Sequence, residues 1–207
     1  MKLSQMHDLI VENQFSQRHA LFFEGGPGTG KTAVAEQAAA TIFKMGVEKG
    51  LNPESFIFRT LILSQYESVD IRGIPGEQNG TTVWYPSEDF QFPNDAWGII
   101  FADELPNASQ DVQKAIQQGI HAKKIGRLVF SKDISWVAAG NRVTDRAGAN
   151  RMLTALANRF EWHTVEPDLE DWSKWAIKNK IQHSVIAFLN QITQHFNAFS
   201  PEQPINA

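Results

Sequence analysis

Apolar residues fall along this chain in two alternating patterns. Short, nearly unbroken apolar runs recur, and between them apolar positions return every three or four residues. The runs "ALFFEG" (20–25), "SFIFRTLIL" (55–63), "WGIIFADE" (97–104), "ISWVAAGN" (134–141) and "EWHTVEP" (161–167) read as strands. Runs that do not alternate with polar residues suit strands buried on both faces of a parallel sheet. Leu3, Met6, Leu9 and Ile10 share one face of a helix over 3–15. "KTAVAEQAAATIFKM" (31–45) is an alanine-rich helix with Gly46 as its stop, and "SQDVQKAIQQGIHAK" (109–123) is a helix with Ser109 as its N-cap. Strands alternating with helices predict an α/β fold, a parallel sheet of about five strands sandwiched by helices.

The pattern changes after Pro167. "DLEDWSKWAIKNK" and "HSVIAFLNQITQHF" are amphipathic helices with no strand between them, so the α/β domain is placed at 1–167 and a partial helical region at 168–207. Trp172, Trp175, Ile177 and Ile181 follow helical spacing and are expected in the core of that region. Glu166, Asp168, Glu170 and Asp171 read as a solvated helix start. Residues 71–96 are rich in Gly, Pro and aromatics and too long for a connector, which marks a functional insertion or hairpin. Its Trp84 and Tyr85 either pack on the domain, the commoner outcome for aromatics, or stay free to grip a polypeptide.

Composition narrows the class. A chain of 207 residues, 42% of them hydrophobic, supports one sizeable core. A net charge of −4 argues against a surface built to coat nucleic acid. With no cysteine there is no disulfide, zinc–thiolate site or thiol nucleophile. No run approaches the roughly 18 apolar residues of a membrane span, and the N-terminus lacks a signal-peptide core, which predicts a soluble, cytoplasmic protein without a membrane partner. His121, His163 and His183 are too scattered for a metal site and read as structural.

The candidate chemistry begins at "GGPGTGKT", which satisfies G-x-x-x-x-G-K-[ST] between an apolar run and a helix. Gly25, Gly26, Pro27, Gly28, Thr29 and Gly30 would curl the backbone so that successive N–H groups face phosphate oxygens, helped by the helix's positive end. Lys31 would reach the β- and γ-phosphates and Thr32 would ligate Mg²⁺. "IIFADE" ends a strand in two acids, which the strand pleat should point in different directions. Asp103 is assigned to the metal and Glu104 to the attacking water.

With "IIFADELPNASQDVQKAIQQGI", "WVAAGN", "LANRF" and "DIRG" in that order, residues of about 20 to 170 resemble AAA+ ATPases of the MoxR-like branch. The resemblance implies a P-loop NTPase sheet followed by the start of a small helical lid. It also implies Mg²⁺-dependent hydrolysis of ATP to ADP, a homo-oligomeric, usually hexameric ring, and remodelling or maturation of a protein partner. Asn141 matches the family's polar sensor of the attacking water. Arg159 matches the arginine of its Leu-x-x-Arg-Phe ending, which serves the γ-phosphate held by the next subunit. The family also has a second sensor arginine in its lid; no arginine follows Arg159 in the 40 residues after Pro167, so either that sensor lies beyond the start of the lid or it is lacking.

Three more arginines share the stretch 141–160. Arg142 and Arg146 could line the same subunit boundary, pair with acids or be solvated, the last being the expectation for each, and Arg151 is a secondary interface candidate. Two other functions remain open on the same core. A nucleic-acid-linked motor or loader is disfavoured by the charge and the lack of a basic aromatic groove. A small-molecule kinase fits the acid pair, Asn141 and Arg159 less well than attack by water does.

Overall fold

The computed structural model describes residues 1–16, 19–145 and 152–197. Leu3–Ser16 forms α1, Ala20–Glu24 β1 and Lys31–Glu48 α2. β2 (Phe56–Ile62) leads to a short helix α3 (Ser68–Arg72) and a hairpin of β3 (Ile74–Gln78) and β4 (Thr81–Tyr85). β5 (Trp97–Asp103) is followed by α4 (Gln110–Ala122), the small hairpin β6 (Lys124–Ile125) and β7 (Leu128–Val129), and β8 (Ile134–Gly140). α5 (Thr154–Ala157) and β9 (Phe160–Thr164) complete the sheet, and α6 (Leu169–Lys178) and α7 (His183–Gln191) come after it.

The five long strands pair in the order β2-β5-β8-β1-β9, every ladder parallel. The five runs expected to be strands are these strands. β5 and β8 carry helices on both faces, which is why their sequences do not alternate. Phe22, Ile100 and Trp136 face α4 and α5 and pack with Val112, Ile116 and Leu156. Leu21, Phe23, Phe101 and Val137 face the other way, onto Met6 and Ile10 of α1 and Ala35 and Ile42 of α2. Ser109 caps α4 as expected, accepting from the Val112 N–H at 3.4 Å. Among the described residues no helix is long and apolar enough to cross a membrane.

Gly46 does not stop α2, which continues to Glu48. Its role is close packing, because a Cβ there would sit 2.2 Å from the Trp97 ring. That ring cannot retreat easily: its Nε1 donates to the Asn52 carbonyl at 2.7 Å and Phe56 packs edge-on at 4.8 Å. Gly46→Ala should therefore cost about 2 kcal/mol net, since overpacking outweighs the better helix propensity. A thermal scan should show Tm falling by roughly 4–8 °C. An unchanged Tm would mean the helix shifts freely away from Trp97.

The insertion contains a hairpin, and Phe90 beyond it packs in the core, but Trp84 and Tyr85 do not pack on the domain as expected. Val83 is the buried side chain of the hairpin itself, whereas Trp84 is 41% exposed, Tyr85 51% and Ile74 67%. A two-stranded ribbon standing off the core can bury only one face at one point. Its return to the sheet is anchored by Tyr66, whose hydroxyl donates to Asp89 Oδ2 at 2.9 Å. Burial, then that hydrogen bond, pushes the phenol up to about 12.

The last helices also differ from expectation. Ala176 is the buried residue of α6, while Trp175 and Ile177 are exposed and Trp172 and Ile181 half-buried. The indole of Trp175 instead donates to Gln37 Oε1 at 3.1 Å, tying α6 to α2. The acids at the start of α6 are more than solvated charge. Asp168 accepts from the Asp171 N–H at 2.8 Å and pairs with Lys2 at 3.1 Å, and Asp171 caps Ser4 N at 3.0 Å.

Candidate functional site

Residues 25–30 leave the C-terminal end of interior strand β1 and turn directly into α2. Gly28 and Gly30 take φ of +71° and +95°, a left-handed backbone that residues with a Cβ rarely adopt, and Pro27 lies between Gly26 and that turn. Gly25 donates its N–H to the Gly140 carbonyl at 3.2 Å, which fastens the loop to the end of β8. Thr29 closes the turn by donating to Gly26 O at 3.0 Å. Lys31 is buried, and its ammonium donates to Gly25 O at 2.8 Å and Gly26 O at 2.9 Å. Burial lowers its pKa, and the carboxylates of Asp103 and Asp145 push back against that shift. The result is a cation held under a curled row of backbone groups, with no room to be solvated fully.

The two acids separate, but not by strand alternation. β5 ends at Asp103, whose Oδ2 accepts from Thr32 Oγ1 at 2.6 Å and whose Oδ1 accepts from the Glu104 N–H at 2.9 Å. Glu104 itself has φ +53°, so a left-handed turn, and not the pleat, aims its side chain. Its Oε2 accepts from the hydroxyl of Ser64, just past the end of β2. Ser64 was not singled out from the sequence. The signal available was a polar residue at the carboxyl end of a parallel strand, where open α/β sheets place their ligand crevices.

Among the described residues no group of three or more His, Asp or Glu could hold a metal alone. Thr32 and Asp103 nevertheless offer two adjacent oxygens at one spot. That donor set fits Mg²⁺, which takes one or two protein oxygens and fills the rest of its octahedron with water and phosphate oxygens.

Asn141 follows Gly140 at the tip of β8, so its backbone is beside the loop. It lines a cavity of about 210 Å³ with Glu24, Pro106 and Trp162. Arg142 is half-buried and pairs with an acid, the alternative to full solvation. Its Nη2 lies 3.7 Å from where a Gly26 Cβ would be, and its Nε pairs with Asp145 at 3.4 Å. Its charge adds to the lowering of the Lys31 pKa, so it belongs electrostatically to the same site. Arg146 and Arg151 lie outside the described residues.

Arg159 is not brought to this site. It immediately precedes Phe160, which pairs with Ala20 at the start of β1, whereas the loop follows Glu24 at the end of that strand. Five strand residues at about 3.3 Å each separate the two ends by roughly 16 Å, beyond the reach of one arginine side chain.

Residues 20–160 match the family model described as AAA domain (dynein-related subfamily). The chain belongs to this AAA family. The match runs from β1 to the first residue of β9, and includes the loop, both acids, Asn141 and Arg159. No curated protein matches the sequence. Among solved structures, a "putative ATPase" from Cytophaga hutchinsonii is similar at 16% identity over 92% of this chain and 58% of its own, with a TM-score of 0.55. NtrX from Brucella abortus in complex with ATP is similar at 14% identity over 96% of this chain and 40% of its own, TM-score 0.55. The same protein in complex with ADP gives 14%, 99%, 51% and 0.53. This AAA chain thus spans about half the length of these structures, and the likeness together with the family match establishes a P-loop AAA+ fold.

Proposed function

We propose that this AAA protein is a ring-forming, MoxR-like ATPase that hydrolyses ATP to ADP and couples hydrolysis to remodelling or maturation of a protein partner. The observation that carries the reading is the 2.6 Å contact between Thr32 and Asp103 beside buried Lys31, with Glu104 next in the chain. The loop from Gly25 to Gly30 would cradle the phosphates and Lys31 would meet the β- and γ-oxygens. Thr32 and Asp103 would hold the Mg²⁺, which when bound neutralises charge on the phosphate oxygens. Glu104 would accept the proton of the attacking water, with Asn141 helping to orient it. Arg142, over Gly26, would add positive charge from the same subunit.

The position of Arg159 at the far end of the sheet supports a role in trans, on the nucleotide of a neighbouring copy, and hence a ring. The exposed Ile74, Trp84 and Tyr85 on the β3–β4 hairpin support a protein partner over a nucleic acid, given a net charge of −4.

Phosphate release from ATP, measured with no acceptor added, tests the reaction. The wild-type chain should release phosphate with Mg²⁺ and stop when the metal is chelated. Asp103→Asn should lower turnover by about 10² or more, because a neutral amide is a poor ligand for a hard cation. Equal turnover with and without chelator would sink the assignment.

A further inference from the structure

A second cluster of donors lies at the opposite end of the sheet, where β1, β8 and β9 begin and α4 ends. His19, His121, Lys123, Ser135, Trp136 and Arg159 line a cavity of about 210 Å³ there, and among the described residues no carboxylate lines it. Two N–H groups on these residues are buried without an acceptor, the indole Nε1 of Trp136 and the Nε of Arg159. Trp136 is only 2% exposed, so water does not compensate its donor well. Buried donors are normally satisfied, and leaving two unpaired on residues that line one cavity costs stability that an acceptor would restore.

The cations are placed unusually for a helix end. Lysines near a C-terminus ordinarily serve the last carbonyls of their own helix. Lys123 takes a left-handed backbone at the end of α4, with φ +48°, and sends its ammonium across to the Ile134 carbonyl of β8 at 2.6 Å. Two of its three N–H donors remain. Arg159 spends one Nη on the carbonyl of Ala155 and keeps the rest of its fork. Burial lowers the pKa of Lys123 and nearby Asp133 opposes that, so an anion in the cavity would favour its charged form further.

We propose that this cavity binds a phosphoryl oxyanion, with Lys123, Trp136 and Arg159 as its principal donors and His19 and His121 at its rim. The donors come from four separate elements and exceed what the two oxygens of a carboxylate accept, whereas a phosphoryl group presents three oxygens in different directions. The anion has two possible sources: free phosphate, or the terminal phosphate of ATP held by a neighbouring copy. The second source rests on the ring reading above and extends it, making Lys123 a second cation beside Arg159 at the neighbour's nucleotide.

The test begins with the full chain carrying Lys31→Ala, which removes the phosphate-binding cation of the loop. Inorganic phosphate, titrated at constant ionic strength, should raise its Tm by about 3 °C or more if the source is free phosphate. Lys123→Met and Trp136→Phe should each remove most of that rise, and Trp136→Phe keeps an aromatic side chain while deleting the N–H. A rise that survives both substitutions overturns the proposal. With Lys31 restored, the same two variants are assayed for ATP turnover and ATP affinity in assembled rings. No phosphate response in the isolated chain, but turnover lowered about tenfold with unchanged ATP Kd, assigns the neighbour's nucleotide as the source. Neither response overturns the proposal. Arg159→Ala separates the two claims: wild-type turnover in its rings defeats the ring reading, while phosphate binding by the isolated chain would still stand.

Discussion

Arg159→Ala is expected to leave ATP binding intact and to reduce hydrolysis in the assembled ring by about 10³ or more. Charge accumulates on the γ-phosphoryl oxygens as the bond to the leaving group stretches, and a guanidinium placed there stabilises the transition state more than the ground state. Because Arg159 lies at the far end of its own sheet from the phosphate loop, its loss should not touch the loop it shares a chain with. Equilibrium titration with a slowly hydrolysed ATP analogue should give the wild-type Kd, while steady-state phosphate release collapses. Mixing supplies the sharper check. Arg159→Ala subunits combined with Lys31→Ala subunits should regain part of the activity, since each supplies what the other lacks at alternate interfaces. Light scattering must confirm that rings form in every sample. Normal hydrolysis by confirmed Arg159→Ala rings would reject the trans assignment.

Glu104→Gln should hold ATP without turning it over. The amide keeps the size and the left-handed turn of Glu104 but cannot take a proton from water, which costs about 10² to 10⁴ in rate. The phosphate contacts from Lys31, Thr32 and Asp103 are untouched, so ATP should remain bound after gel filtration, where the wild type would carry ADP. The hydroxyl of Ser64 can still donate to the amide oxygen, so the loop geometry around residue 104 should persist. Chromatography of the nucleotide released on denaturation reads the result directly. Rapid turnover in Glu104→Gln would mean that another group activates the water, with Asn141 and Arg142 next to be examined.

The phosphate loop was legible in the sequence because its chemistry is local. Eight successive residues contain the left-handed glycines, the lysine and the threonine, and the flanking apolar run and helix supply the context. Asp103 was legible for a related reason, since a strand buried on both faces must surface at its carboxyl end before an acid can be tolerated. The separate aim of Glu104 was expected, but its cause was not: alternation along a strand gave way to a left-handed turn once the strand ended one residue earlier.

Contacts between distant segments were not legible. Gly46 reads as a helix stop until Trp97 is seen against it, and Arg142 reads as solvated until the ends of β1 and β8 are seen side by side. Ser64 meets Glu104 only because β2 and β5 are neighbours, and the donor-lined cavity exists only because β1, β8 and β9 start together. By itself, then, the sequence determined the five strands, their buried character and the loop between β1 and α2, all set by near neighbours and hydrophobic pattern. The tertiary structure alone decided which strands lie together. Parallel pairing is fixed by long-range packing of both sheet faces, and no residue's own neighbours along the chain encode that order.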